Sequence, residues 1–342
     1  MVTGLTVNEK VNIPKEYWRS IKSMCWELFK TGDYYRPSNN NGAVRTAPVL
    51  EGSLEPLSGM LSHVYHVKKE SKRLNDGTAA DIVSGRKLHE QFWFYRSFVA
   101  LKRAVIICEG ETDVVYLRNA IQQTPTFQPQ LGSVTPDGFR FGLTFFGHSN
   151  HIGELLRIPG GFPQMKTFML NYREHLSAYK YREVLFPVIM LVDNDHVLDQ
   201  KFCGSLKKAF GVDVSQKSSD SFYHLTDNLY LIKTPELGVD GTSCIEDLFD
   251  DAAKKLTLGG KFLHTGKDFD PTKHIGKTPF AIKVVARNPT KIEWRAFAPL
   301  LSRIVAVLDH YRPPIMRTLS PPSAPTVAVS LLPVPTAPRA TP

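Results

Sequence analysis

Two short apolar runs that end abruptly in carboxylates constrain this chain more than any other feature. The first is Val105-Ile106-Ile107-Cys108, followed at once by Glu109-Gly110-Glu111-Thr112-Asp113. The second, Val188 to Val192, runs into Asp193-Asn194-Asp195. A run of that length without polar alternation reads as a parallel strand buried on both faces. Its carboxylates then fall at the strand's C-terminal end, the edge of an open α/β sheet where ligands bind. Acids gathered there repel one another unless a cation neutralises them, and hard oxygen ligands suit Mg²⁺ or Mn²⁺.

From Arg103 onward the pattern alternates. Strands are expected at 104–108, 140–146, 187–192 and 228–232. Helices are expected at 113–122, 165–179, 200–210 and 292–309. That alternation predicts an α/β fold around a parallel sheet. A third acidic group, Glu246 and Asp247, opens a short helix within 243–249. The candidate catalytic residues are Glu109, Asp193 and Asp195; the candidate metal ligands are these three and Glu246. Gly110, Asp113 and Asp247 support them. Gly110 is expected to let the chain turn sharply after the strand. Asp193 and Asp195 reach one ion together only if the chain turns between them. Asp113 and Glu246 also stand where acids cap helix N-termini. Metal-assisted phosphoryl transfer is the natural chemistry of such a set.

The net charge of +9 is unevenly spread. Residues 1–103 carry 16 Lys and Arg against 10 Asp and Glu, residues 104–310 carry 23 of each, and 311–342 hold three Arg and no acid. A basic N-terminal part beside a neutral part with clustered acids fits a nucleic-acid partner for a metal-dependent domain; a solvated basic face is the alternative. A helix starting near Pro14 places Tyr17, Ile21, Met24, Cys25, Leu28 and Phe29 at helical spacing. Its opposite face carries Lys15, Arg19, Lys22 and Lys30. Tyr17 and Trp18 lie nearby, either to stack on bases or as core. A second helix, 59–68, has a basic end at Lys68 and Lys69. Residues 36–58 read as a loop and 75–85 as a linker. The aromatic helix around Phe92 to Phe98 is expected to pack against the next domain.

The four cysteines are widely spaced and read as reduced thiols in a cytoplasmic protein, not as a disulfide or zinc framework. No apolar run is long enough to span a bilayer, so no membrane partner is expected. The tail 311–342, with nine prolines and no acid, lacks the composition of a core.

The order strand–Glu109-Gly110-x-x-Asp113 and strand–Asp193-Asn194-Asp195 resembles the Toprim fold of topoisomerases, primases and related nucleases. Residues 2–32 and 50–68 resemble the thumb region of retron reverse transcriptases. Phe92 to Leu117, the Asp193–Asp195 segment, Cys244 to Asp250 and the stretch from His274 to Lys283 resemble the Toprim-like C-terminal extension of one retron subgroup. The resemblance covers about residues 1–310. It implies a thumb-like helical region (1–75), a linker and aromatic helix (76–102) and a Toprim-like Mg²⁺-binding Rossmannoid domain (103–310); the Pro-rich tail (311–342) resembles nothing in the family.

By that resemblance Glu109 is the acid/base or metal-bound carboxylate, Asp193 and Asp195 are Mg²⁺ ligands, and Asp113 and Glu246 are further acidic members. Lys277 or Lys283 contacts phosphate or lies on the surface. Gly4, Val7 and Asn8 match a motif beside the template–primer. The family's acid and glycine after the second acidic motif are replaced by His196-Val197, and no Tyr-x-Asp-Asp occurs. The expectation is a reverse-transcriptase C-terminal part without the polymerase palm, split off or truncated. It would cleave phosphodiesters in anti-phage defence, with retron or phage nucleic acid and a separately encoded polymerase half as partners. Two readings compete: a non-catalytic nucleic-acid-binding module, and a free-standing Toprim nuclease.

Overall fold

The computed structural model describes residues 6–7, 11–36, 49–73, 79–147, 151–158, 161–195, 198, 200–237, 240–264, 266 and 268–314. At its centre five strands form one sheet: β1 (Val105–Ile107), β2 (Thr144–Phe145), β3 (Val188–Val192), β4 (Tyr223–Thr226) and β5 (Leu229–Lys233). Their order is β4-β5-β3-β1-β2. The last four are parallel, and β4 is an antiparallel edge strand beside β5. The α/β architecture expected from the alternation is therefore present.

Every residue of β1, β3 and β5 is buried, which is why none of them alternates in polarity. Their side chains still alternate in direction. Val105, Ile107, Val188, Met190, Leu229 and Leu231 enter one apolar cluster; Ile106, Ile189, Leu191, Tyr230 and Ile232 enter the other. Among the described residues, seven longer helices cover these faces: α1 (Lys15–Thr31), α2 (Glu55–Arg73), α3 (Ala79–Phe94), α4 (Glu111–Gln123), α5 (Phe162–Ser177), α6 (Gln200–Phe210) and α7 (Ala298–His310). Buried residues of α1, α2, α3, α5 and α6 fill the first cluster, and those of α4 and α7 fill the second.

The chain leaves β1 through α4 to reach β2. It then returns through α5, on the opposite face, to β3. Strand order thus reverses between β1 and β3, and the crevice at their C-terminal ends is the topological switch point. Register pairs Ile107 with Met190. Continued along the strands, it brings Glu109 level with Val192, one residue before Asp193.

The N-terminal helices share the sheet's first core. α1 buries Ile21, Met24, Cys25, Leu28 and Phe29, and Phe29 packs edge-on against Tyr179 at 5.1 Å. α1 stops at Gly32, whose φ of +89° is left-handed. A Cβ there would come within 2.1 Å of the Tyr181 ring, so glycine is required on two counts. The aromatic segment packs as expected: Phe94 stacks on Tyr179 at 6.1 Å and Phe98 on Phe146 at 5.6 Å.

Several boundaries differ from the sequence expectations. α3 begins at Ala79, inside the expected linker, and tolerates Gly85 because Lys68 crosses there: a Cβ on Gly85 would lie 3.0 Å from Lys68 Cδ. α2 starts at Glu55, ahead of Gly59, with the Glu55 N–H donating to Ser53 Oγ at 3.2 Å. The strand expected at 140–146 is two pieces. Gly138–Phe141 forms a hairpin with Gly132–Thr135, and only Thr144–Phe145 joins the sheet. The last helix starts at Ala298 rather than 292, with Pro299 in its first turn. Before it, the Trp294 indole N–H donates to the Pro289 carbonyl at 2.7 Å and closes a tighter coil. Gly4, Asn8, His196, Val197 and the tail from 315 lie outside the described residues. Among those described, no helix is long and apolar enough to cross a membrane.

Asn228, fully buried at the β4–β5 turn, ties three segments together. Its Nδ2 donates to the carbonyls of Phe186 (2.9 Å) and Phe98 (3.2 Å), and its Oδ1 accepts from the Tyr172 hydroxyl (2.9 Å). Asn228→Ala strips partners from two carbonyls and one hydroxyl. Urea unfolding should show a loss of about 2–4 kcal/mol, and a loss within experimental error would contradict this role.

Candidate functional site

The switch-point crevice gathers four of the sequence-predicted acids. Glu109 follows β1, Asp193 follows β3, Asp113 lies in the first turn of α4, and Glu246 lies in a short 3-10 turn, Ile245–Leu248. Asp113 and Glu246 are buried; Glu109 and Asp193 are partly exposed. Burial, and then the charge of Asp113, Glu246 and Glu109, raises the Asp193 carboxyl to about 8. Burial, followed by Glu246 and Glu109, raises Asp113 to about 7, against the lowering pull of the Gly110 N–H and Lys277. These side chains are close enough to oppose one another's ionisation.

Local hydrogen bonds fix them. Asp113 Oδ2 accepts the Gly110 N–H at 2.8 Å, capping α4. Gly110 itself is extended, with φ −123°, so the sharp glycine-dependent turn expected there is not what the backbone adopts. Asp193 Oδ1 accepts the Ile245 N–H at 3.0 Å, which joins the end of β3 to the turn bearing Glu246. Glu246 Oε2 pairs with Lys277 Nζ at 3.0 Å. Burial disfavours the Lys277 ammonium, but Glu246 outweighs it and the lysine's pKa is raised. Glu246 Oε1 and the fully buried Tyr116 hydroxyl have no hydrogen-bond partner among the described residues.

Not every predicted residue joins this group. Asp195 is absent from the main charges acting on Asp113 and Asp193. Its carbonyl accepts from the Leu198 N–H at 3.1 Å and from Gln216 Nε2. Asp247 acts as a cap: Oδ2 accepts the Cys244 N–H at 2.8 Å, and Oδ1 lies 3.9 Å from Lys254 Nζ. Lys277, expected among the nucleic-acid contacts, is part of the acid cluster. Lys68, expected there too, is buried, with Nζ 4.5 Å from the Trp18 ring centre; Trp18 and Tyr17 are packed against the core. Lys15, Arg19, Lys22 and Lys69 are exposed as expected.

The sequence reading passed over Asn194, between the two aspartates. It is fully buried. Its Nδ2 donates to the carbonyls of Gly241 (2.7 Å) and Gln216 (3.0 Å), and its N–H donates to Thr234 Oγ1 at 2.8 Å. Its carbonyl accepts the Ser243 N–H at 2.9 Å. Thr234 Oγ1 in turn donates to the Ser243 carbonyl at 2.8 Å. Beneath this knot the buried Lys233 pairs with Glu236 at 2.6 Å, and Arg303 of α7 reaches Glu236 at 2.7 Å.

Among the described residues, no three His, Cys, Asp or Glu side chains form a ready-made metal cage. Mg²⁺ does not need one: it keeps several waters and is held by one or two carboxylates plus substrate phosphates. The donor set suits it, with hard carboxylates pushed toward protonation and a buried Glu246 oxygen without a hydrogen-bond partner among the described residues. On the same edge an open groove of about 310 Å³ runs past Thr112, Arg118, Gly147 and Thr278. Larger cavities, of about 630 and 520 Å³, lie away from the carboxylates. No protein-family model matches the chain, and no solved structure matches it.

The raised carboxyls fix a sign for pH dependence. The Asp193 carboxyl titrates near 8 in the fold against an ordinary 3.8, so between those values the native state holds a proton that the unfolded chain has lost. In chelator, thermal stability should therefore fall as pH rises from about 4 to about 8. Asp193→Asn should flatten that slope and melt higher than wild type at the alkaline end. Equal slopes in both proteins would contradict the assignment.

Proposed function

We propose that the switch-point cluster is the Mg²⁺-dependent phosphodiester-cleaving site of a Toprim-like domain, in a chain of the retron reverse-transcriptase type that acts on nucleic acid. The observation that carries the reading is the convergence of Glu109, Asp113, Asp193 and Glu246, strongly coupled in charge, where strand order reverses. Carboxylates held in such mutual opposition do work only with a cation or a proton between them. Glu109 and Asp193 would hold Mg²⁺, which supplies neutralisation of phosphate charge and a more acidic bound water. The chain's own residues do the rest. The Ile245 N–H orients Asp193, Gly110 orients Asp113, and Lys277 pairs with Glu246. The groove past Arg118 and Thr278 gives the strand being cut a path along the sheet edge.

One observation favours the competing reading of a non-catalytic binding module: Lys277 already neutralises part of the cluster. Cleavage assays on single- and double-stranded DNA and RNA, with and without Mg²⁺, separate the two. Asp193→Ala and Glu109→Gln should each lower Mg²⁺-dependent cleavage by at least about a hundredfold. Cleavage unchanged in both variants, or absent from wild type with any divalent ion, would overturn the catalytic reading.

A further inference from the structure

Away from the acid cluster, α1 presents a surface that the core does not explain. Trp26 is 70% exposed. It lies in line with Lys15, Arg19, Lys22 and Lys30, all exposed, at steps of four, three, four and four residues. At helical geometry those five positions fall on one stripe about 22 Å long. Beside Trp26 opens a surface cleft of about 460 Å³, whose walls include Ser23, Lys30, Ala178 and Lys180. Lys180 is brought there by its N–H, which donates to the Phe29 carbonyl at 2.9 Å. The acid bordering the cleft, Glu27, is engaged elsewhere: its Oε2 accepts the Tyr35 N–H at 3.1 Å.

We propose that this face of α1 binds single-stranded nucleic acid, with Trp26 as the stacking platform for an unpaired base and Lys15, Arg19, Lys22, Lys30 and Lys180 tracking the phosphates. Charge complementarity selects a polyanion. The exposed indole selects a strand with free base faces, because a duplex offers that ring no face to stack on. The stripe's length fits the short end of single-strand site sizes, about four nucleotides.

The test measures binding of the full chain to fluorescent oligo-dT, oligo-U and a hairpin duplex by anisotropy, in chelator so that cleavage does not intervene. Trp26→Ala should weaken both single strands by roughly tenfold and leave the duplex within about twofold, while Trp26→Phe retains most of the affinity. Lys22→Ala with Lys30→Ala should flatten the salt dependence of single-strand binding by about 0.7 per cation in log–log slope. Single-strand affinity unchanged by Trp26→Ala, or duplex and single strand weakened alike, overturns the proposal. Either result leaves the cleavage reading standing, since binding here is read without the divalent ion and at residues apart from the carboxylates.

Discussion

The candidate site depends on one buried side chain, that of Asn194. A strand end is an awkward place to hold a charged group, because the ladder stops there and leaves backbone donors and acceptors without partners. Asn194 resolves this by turning inward between two aspartates and bonding to Gly241, Gln216 and Thr234, while its carbonyl takes the Ser243 N–H. The end of β3, the loop at 216 and the segment 241–246 become one body. Only then does the Ile245 N–H meet Asp193, and only then does Glu246 stand against Asp113.

That body rests on two buried cations that share one partly exposed carboxylate. Lys233 and Arg303 both reach Glu236, and Arg303 Nη1 also donates to the carbonyls of Lys233 (2.8 Å) and Thr234 (3.1 Å). Burying two cations is costly unless a counter-charge and hydrogen bonds meet them. The arrangement holds the end of β5 and the adjoining segment in a fixed position beneath the acids. At the acids above, Lys277 pairs with Glu246. The contrast between a cationic foundation and an acid-rich edge is what the proposed cation site rests on.

Much of this was legible in the sequence, and the misses have local causes. Central parallel strands lose polar alternation because both faces are covered, so β1, β3 and β5 announced themselves as unbroken apolar runs. Acids at their ends followed directly. The hairpin at 132–141 was missed although Pro136-Asp137-Gly138 is a turn signal, with Gly138 at φ +118°. β4 was missed because four residues at an edge, beside an Asp227-Asn228 turn, carry little periodicity. Lys68 reads as solvated until the tertiary slot formed by Trp18 and Gly85 is known. Trp26 was passed over: its helical position lies on the cationic stripe, but only Tyr17 and Trp18 were weighed for stacking. Asn194 gave no signal, since its partners lie 22 to 49 residues away in sequence.

The central claim is that the coupled carboxylates form a divalent-cation site, and calorimetric titration of the full chain with Mn²⁺, repeated in buffers of different ionisation enthalpy, tests it most directly. Because burial and neighbouring carboxylates raise the Asp193 carboxyl to about 8, ion binding at neutral pH should displace its proton. The account predicts saturable binding whose heat depends on the buffer, with protons released as the ion enters, and loss of that binding in Asp193→Asn. Binding that is absent from wild type, or that persists unchanged in Asp193→Asn, would contradict it.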